Sequence, residues 1–294
     1  MRNWPTDFGL MARMTLTMIL LGVVYLGFLA FLYWLGIDPT MLMIIAAVML
    51  GIQFFFSDKL VLMTSGAKIV TPEQAPQLHA VVEQLCAEAD IPKPKVAIMP
   101  TDVPNAFATG RSHRKSVIAV TNGLMQRLDP EEVKAVLAHE LSHVKNRDVA
   151  VMTLASFIST VAYFIMTSFM FGGGAYGRDR RGAGSMVLVY VAALIVYFVS
   201  LLLVRLLSRY RELAADRGSA IITGRPRTLI TALTKISGQM QRIPKKDLRA
   251  EQGMNQFFII PAISGRSIAE LFSTHPSLER RIRELERMER AMRS

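Results

Sequence analysis

Met14 to Leu35 carries no charge and is long enough to cross about 30 Å of hydrocarbon, which restricts this chain more than any other feature. Inside a bilayer every backbone N–H and C=O has to be paired within the chain, so the run reads as a helix. It is too long for a signal-peptide core, no small-residue cleavage site follows it, and Tyr33 and Trp34 near its end suit a membrane interface. Three further apolar runs, Thr40 to Phe56, Val149 to Phe171 and Met186 to Val204, predict two transmembrane hairpins and four spans. The first hairpin turns at Gly36-Ile37-Asp38-Pro39. The second turns at Gly172-Gly173-Gly174 and an Arg178-Asp179-Arg180-Arg181 cluster. With 51% hydrophobic and 19% charged residues over 294 positions, some apolar surface is expected to face lipid.

Charge sets the expected orientation. Arg2, Arg13, Lys59, Lys68, Lys145, Arg147, Arg205 and Arg209 flank the runs on one side, which the positive-inside rule makes cytoplasmic. The Arg178 to Arg181 cluster runs against that trend, and four full spans remain the expectation. The net charge of +11 comes without nucleic-acid motifs, so the bilayer, not nucleic acid, is the expected partner. Cys86 is the single cysteine and forms no intramolecular disulfide, in keeping with a reducing, cytosolic side.

The runs divide the chain into a hairpin (1–57), a soluble half (58–148), a second hairpin (149–204) and a second soluble half (205–294). The first half predicts a helix from Pro72 to Ala89 and strands at Lys95 to Met99, Asn105 to Thr109 and Ser116 to Val120. Asp129-Pro130-Glu131-Glu132 then opens a helix, with Asp129 as N-cap, Pro130 in the first turn and acids at the positive end of the dipole. The second half continues the fourth run into a polar helix, passes a long loop at 243–266, and ends in a helix from Ser277 to Met292. The expected fold is therefore mainly α, with four apolar helices and an α+β domain around a small β-sheet, and His139-Glu140-Leu141-Ser142-His143 on the capped helix makes that domain zincin-like and catalytic.

His139 and His143 are four residues apart, so on a helix both rings leave one face and can hold one zinc ion per chain. Glu140 stands between them as general base. On the helical wheel Val133, Val136, Leu137, Leu141 and Val144 form the buried arc, whereas Glu131, Lys134, Ala138, Ser142 and Lys145 face the other way. A single histidine is usually structural, but a chance His-Glu-x-x-His on a capped helix is rare. A catalytic zinc needs a third protein ligand, and Glu212 in Tyr210-Arg211-Glu212-Leu213-Ala214-Ala215-Asp216 is the candidate. Asp216, one turn on, would accept the free N–H of a ligating histidine. A protease cutting inside the bilayer would bury its motif in a span, yet Lys134, Lys145, Asn146, Arg147 and Asp148 flank this one. A scaffold with a structural zinc would have no use for Glu140. His79 and His113 belong to no motif and read as surface residues.

These motifs together resemble the HtpX family of membrane proteases, relatives of the CAAX prenyl proteases. The resemblance covers nearly the whole chain and includes Asn105-Ala106-Phe107-Ala108-Thr109-Gly110 as an edge-strand motif, and Thr274-His275-Pro276-Ser277 with Arg281. It implies a glutamate as third zinc ligand, Asn105 holding substrate backbone, and His275 and Arg281 lining the cleft near the scissile bond. It also implies polypeptide substrates, chiefly misfolded membrane proteins cut in cytosolic loops or tails, in quality control and stress response. The expected site is the cytosolic face of a bacterial inner membrane.

Overall fold

A computed structural model describes residues 7–36, 40–172, 180–240 and 275–293. In chain order the elements are α1 (Phe8–Trp34), α2 (Thr40–Ser65), β1 (Lys68–Ile69), α3 (Pro76–Ala89), β2 (Lys95–Met99) and β3 (Ala106–Thr109). After a 3-10 turn (His113–Lys115) come β4 (Val117–Thr121), α4 (Asn122–Arg127), α5 (Pro130–Lys145), α6 (Asp148–Gly172), α7 (Arg180–Thr223) and α8 (Pro226–Met240). The last helix, α9, is Leu278–Arg293. They fall into two compact units. One comprises Asp7–Phe54 and Val151–Leu207; the other comprises Phe55–Ala150 and the described part of Ser208–Ser294.

The first unit is all helix. Leu21 packs with Ala155 and Leu207, and Phe28 and Leu32 pack with Ala46, Val161, Ile165, Val189 and Ala193. Alanines at such contacts let helix backbones approach closely, as membrane helices require. Leu16, Ile19, Val23, Leu26, Val48, Leu188 and Ile195 point outward and are exposed. Water would make that surface costly, whereas lipid accepts it. Among the described residues three helices are long and apolar enough to cross a membrane, and the bent pair Ile44–Phe56 and Asp58–Ser65 makes a fourth if taken as one span.

The second unit is built on a sheet of order β1-β2-β4-β3. β2 and β4 run parallel, and β1 and β3 pair antiparallel with them, so β3 is an edge strand. Every residue of β4 is buried because helices cover the central strands. The core joins Val82, Leu85 and Cys86 of α3 to Ile118 and Val120 of β4, to Val136, Leu137 and Leu141 of α5, and to Leu229, Leu233 and Leu285.

α5 starts where its cap signal predicts. The Asp129 carboxylate takes the backbone N–H of Glu132, and the Glu132 side chain accepts from the Asp129 N–H at 3.0 Å. Lys235 of α8 donates to both acids at 2.8 Å, which fastens α8 to this helix start.

Three expectations change. α3 begins at Pro76 instead of Pro72 because a turn closes first, with Gln74 and Ala75 N–H groups donating to Thr71 O at 3.1 Å. The residue before a proline is pushed out of helical conformation, as Ala75 is at φ −142°. His79 is buried, its Nε2 lying 3.1 Å from the Val70 carbonyl oxygen, while His113 is half-buried with Nε2 3.1 Å from Lys145 O. The two-faced reading of α5 also fails. Ala138 and Ser142 are fully buried, because α7 packs on that side and Ser219 Oγ donates to Ala135 O at 2.7 Å. The predicted loop at 243–266 lies outside the described residues.

Cys86 faces the core, and its burial pushes the thiol up to about 11. Native protein is therefore expected to resist thiol reagents at neutral pH and to react fully once denatured. Equal labelling rates in the two states would show that α3 does not seal this core.

Candidate metal centre

His139 and His143 lie one turn apart on α5 with their rings edge to face, centroids 4.7 Å apart. The two Nε2 atoms converge to 3.1 Å. α7 brings Glu212 against them: Oε1 is 3.4 Å from His143 Nε2 and Oε2 is 3.6 Å from His139 Nε2. Close approach of the two helices is possible because Ala215 and Ser219 present almost no bulk and are wholly buried.

Behind this triad stand two more carboxylates. Asp216 Oδ1 is 3.0 Å from His139 Nδ1, and Asp148 Oδ2 is 2.6 Å from His143 Nδ1. Each carboxylate thus fixes its imidazole with the proton on Nδ1, a tautomer inferred from the partners. Both Nε2 lone pairs then point at one place, together with the Glu212 oxygens. Three electron-pair donors crowded this closely repel one another unless a cation sits among them. Tetrahedral bonds of about 2.1 Å place donor atoms about 3.4 Å apart, which the triangle of 3.1, 3.4 and 3.6 Å approximates. Among the described residues His139, His143 and Glu212 form a group suited to a metal ion, and the donor chemistry fits a divalent cation.

The carboxylates are supported in turn. Arg281 of α9 is 1% exposed and forks onto Asp216, Nε to Oδ2 at 2.8 Å and Nη2 to Oδ1 at 2.5 Å. Its Nη1 also lies 3.6 Å from Glu212. His275 is buried with Nδ1 3.2 Å from Glu212 Oε2. Arg211 pairs with Asp148 and donates to Asn146 O at 2.9 Å.

Burial alone would raise Glu212, but the imidazoles gathered around it, His275 first and then His139 and His143, outweigh it and hold the carboxyl well below its usual range. Glu140, also buried, is raised instead, because desolvation exceeds the pull of the two histidines and of a backbone hydrogen bond from Ala108. Glu140 thus sits beside β3, an edge strand in the order of the sheet. Asn105, just before it, is buried; its N–H donates to Thr121 Oγ1 at 2.9 Å and its carbonyl accepts from Thr121 N at 3.0 Å.

Glu140, Glu212, Asp216, His275 and Arg281 therefore gather around the two histidines, and Asn105 stands at the start of the neighbouring strand. Asp148 and Arg211 were not singled out as site residues. Their signal was present but faint: an acid opening an apolar run is expensive unless paired. Arg147 at φ 55° turns the chain so that Asp148 comes back to His143.

Apolar helices of spanning length, combined with a buried His-Glu-Leu-Ser-His helix facing a glutamate, define a membrane metalloprotease. The chain belongs to peptidase family M48, whose model matches residues 72–289. It is similar to Protease HtpX homolog 2 of Methanosarcina acetivorans, at 57% identity over 99% of each chain. It is likewise similar to Protease HtpX homolog of Moorella thermoacetica, at 58% identity over 99% of this chain and 98% of that one. The crystal structure of S. mikatae Ste24p aligns with a TM-score of 0.57 and 16% identity over 92% of this chain. This chain spans 64% of the length of that one, and the likeness concerns the fold.

Asp148→Asn keeps the size of the side chain but weakens the acceptor for His143 N–H. It is expected to lower divalent-metal affinity by about 10- to 100-fold. Competition against a chelator measures this, and unchanged affinity would confine Asp148 to pairing with Arg211.

Proposed function

We propose that this chain is a zinc-dependent endopeptidase of the glutamate-ligated type, cutting loops or tails that misfolded membrane proteins expose on the cytosolic side of a bacterial inner membrane. The observation that carries the reading is the convergence of His139, His143 and Glu212 within 3.1 to 3.6 Å of one another, beside a buried Glu140 and an edge strand. The soluble halves 58–148 and 205–294 are taken as one catalytic domain, a reading supported by the first half and the described residues from Ser208 onward falling within one compact unit.

A zinc ion held by those three residues would polarise the substrate carbonyl and make water nucleophilic near neutral pH. Glu140 takes the proton from the attacking water and returns it to the leaving amine. Glu140 is suited to both steps by its place beside the two histidines and next to β3, because a proton carrier has to stand within reach of both the water and the leaving amine. Asp216 and Asp148 hold the ligating rings in place, and Arg281 keeps Asp216 from turning away. His275 is proposed to line the cleft near the scissile bond, with Arg281 behind it. β3 stands at the edge of the sheet order beside Glu140, and is proposed to pair with an extended substrate backbone, with Asn105 at its start helping to hold that backbone. Main-chain pairing asks little of substrate sequence, which suits misfolded clients and a role in quality control and stress response. A helix in lipid offers no such backbone, because its groups are already paired internally.

Glu140→Gln is expected to retain stoichiometric zinc and lose turnover by more than about 100-fold, whereas Glu212→Ala loses both. Metal analysis and casein cleavage on detergent-purified protein separate the two. Tightly held zinc in Glu212→Ala would move the third ligand elsewhere.

Orientation has its own test. Glu88 is exposed on α3, so Glu88→Cys in a Cys86→Ala background offers one reactive thiol. An impermeant reagent is expected to leave it unlabelled in intact cells and to label it after permeabilisation. Labelling from outside would place the site on the opposite face.

A further inference from the structure

One end of the sheet carries unbalanced positive charge beside exposed apolar side chains. Thr109 of β3 and Lys95 of β2 both pair with Val117 of β4, so Lys95 and the connection from Gly110 to Ser116 lie at the same end. Arg111, Arg114 and Lys115 stand in that connection, and no acidic residue occurs between Val103 and Leu128. Among the described residues, none of these three cations pairs with a carboxylate. The connection is held in shape. Gly110 has φ 122°, and a Cβ there would fall 2.3 Å from Lys115 O. Ser116 Oγ donates to His113 O at 2.8 Å, and His113 Nε2 lies 3.1 Å from Lys145 O.

Arg111 connects this basic end to the apolar surface of α2. Its guanidinium sits 4.9 Å from the centre of the Phe55 ring and donates to Phe55 O at 3.4 Å. Phe55 and Phe56 close a run of candidate spanning residues, and they are 54% and 58% exposed. Leu60 and Met63, one and two turns on, are 62% and 80% exposed. Apolar groups in that number next to uncompensated cations match a boundary where hydrocarbon gives way to phosphate.

We propose that Arg111, Arg114 and Lys115, with Phe55 beneath Arg111 and the exposed Phe56 next to it on α2, form a docking surface for the anionic headgroups of acidic phospholipids. A soluble anion would meet the cations and leave the phenylalanines in water, whereas a bilayer accommodates both. Gly110 directly follows Thr109, the last residue of β3, so headgroup contact sets the height of that edge strand above the membrane. This last consequence rests on the proteolytic reading; the lipid contact does not.

The test uses the full chain in nanodiscs of phosphatidylcholine and phosphatidylglycerol. Electron spin resonance compares association of spin-labelled phosphatidylglycerol with that of spin-labelled phosphatidylcholine. Replacing Arg111, Arg114 and Lys115 together by Gln is expected to reduce the preference for phosphatidylglycerol by at least about three-fold. The matched control, Arg225→Gln with Arg227→Gln and Arg283→Gln on and beside α8 and α9, leaves it unchanged. An unaltered preference in the first variant, an equal loss in the control, or displacement of the lipid by soluble glycerol phosphate would overturn the proposal. No cleavage is involved in this measurement, so an inactive protein would count against the peptidase reading alone.

Discussion

Everything around the centre depends on Arg281 and Asp216 satisfying each other out of reach of water. Each is almost fully buried, and moving an ion of that size out of water costs several kcal/mol even after relaxation. Two hydrogen bonds at 2.8 and 2.5 Å answer the charges of both, and Asp216 Oδ1, which takes the shorter of them, also lies 3.0 Å from His139 Nδ1. Removing one partner from such a pair typically costs about 3–5 kcal/mol, because the survivor is left as a bare buried charge. α5, α7 and α9 are thus held to one arrangement by a contact that tolerates little error. That arrangement keeps His139, His143 and Glu212 within 3.1 to 3.6 Å of one another.

The same logic repeats at His143 with different parts. Asp148 is the first residue of α6 and Arg211 precedes Glu212 on α7, so the residues that fix the second ring belong to helices that also carry apolar runs. Catalytic chemistry and membrane anchoring share continuous helices here. A change at the mouth of an apolar run therefore reaches the His143 ring through a single 2.6 Å contact.

Two glutamates of one chemical type are driven apart by their surroundings. Glu212 is surrounded by His139, His143 and His275, with Arg281 beyond, and is held as a carboxylate despite burial. Glu140 receives less compensation, so desolvation prevails and its proton affinity rises. The two carboxyls, alike in chemistry and close in space, are thus separated in proton affinity by what surrounds each of them. β3, an edge strand in the order of the sheet, lies on the side of Glu140, and its Ala108 N–H meets that carboxyl.

Much of this was legible without coordinates. Apolar run length determined which segments are helices suited to lipid, since backbone pairing in hydrocarbon leaves no alternative. The start of α5 was written in Asp129 and Pro130, and the four-residue spacing of His139 and His143 settled that their rings share a face. Local signals of this kind act over one or two turns, so the sequence carries them whole. Packing partners are a different matter. Nothing local told that Ala138 and Ser142 would be sealed by α7, that His79 would turn inward to the Val70 carbonyl, or that Pro76 and not Pro72 would open α3. By itself the sequence determined the membrane helices, the capped helix and the ligand types. Tertiary structure alone decided that Arg281, 65 positions from Asp216, is its partner, and that Asp148 turns back to His143. Burial made that choice, because a charge excluded from water takes whichever counter-charge the fold brings within reach.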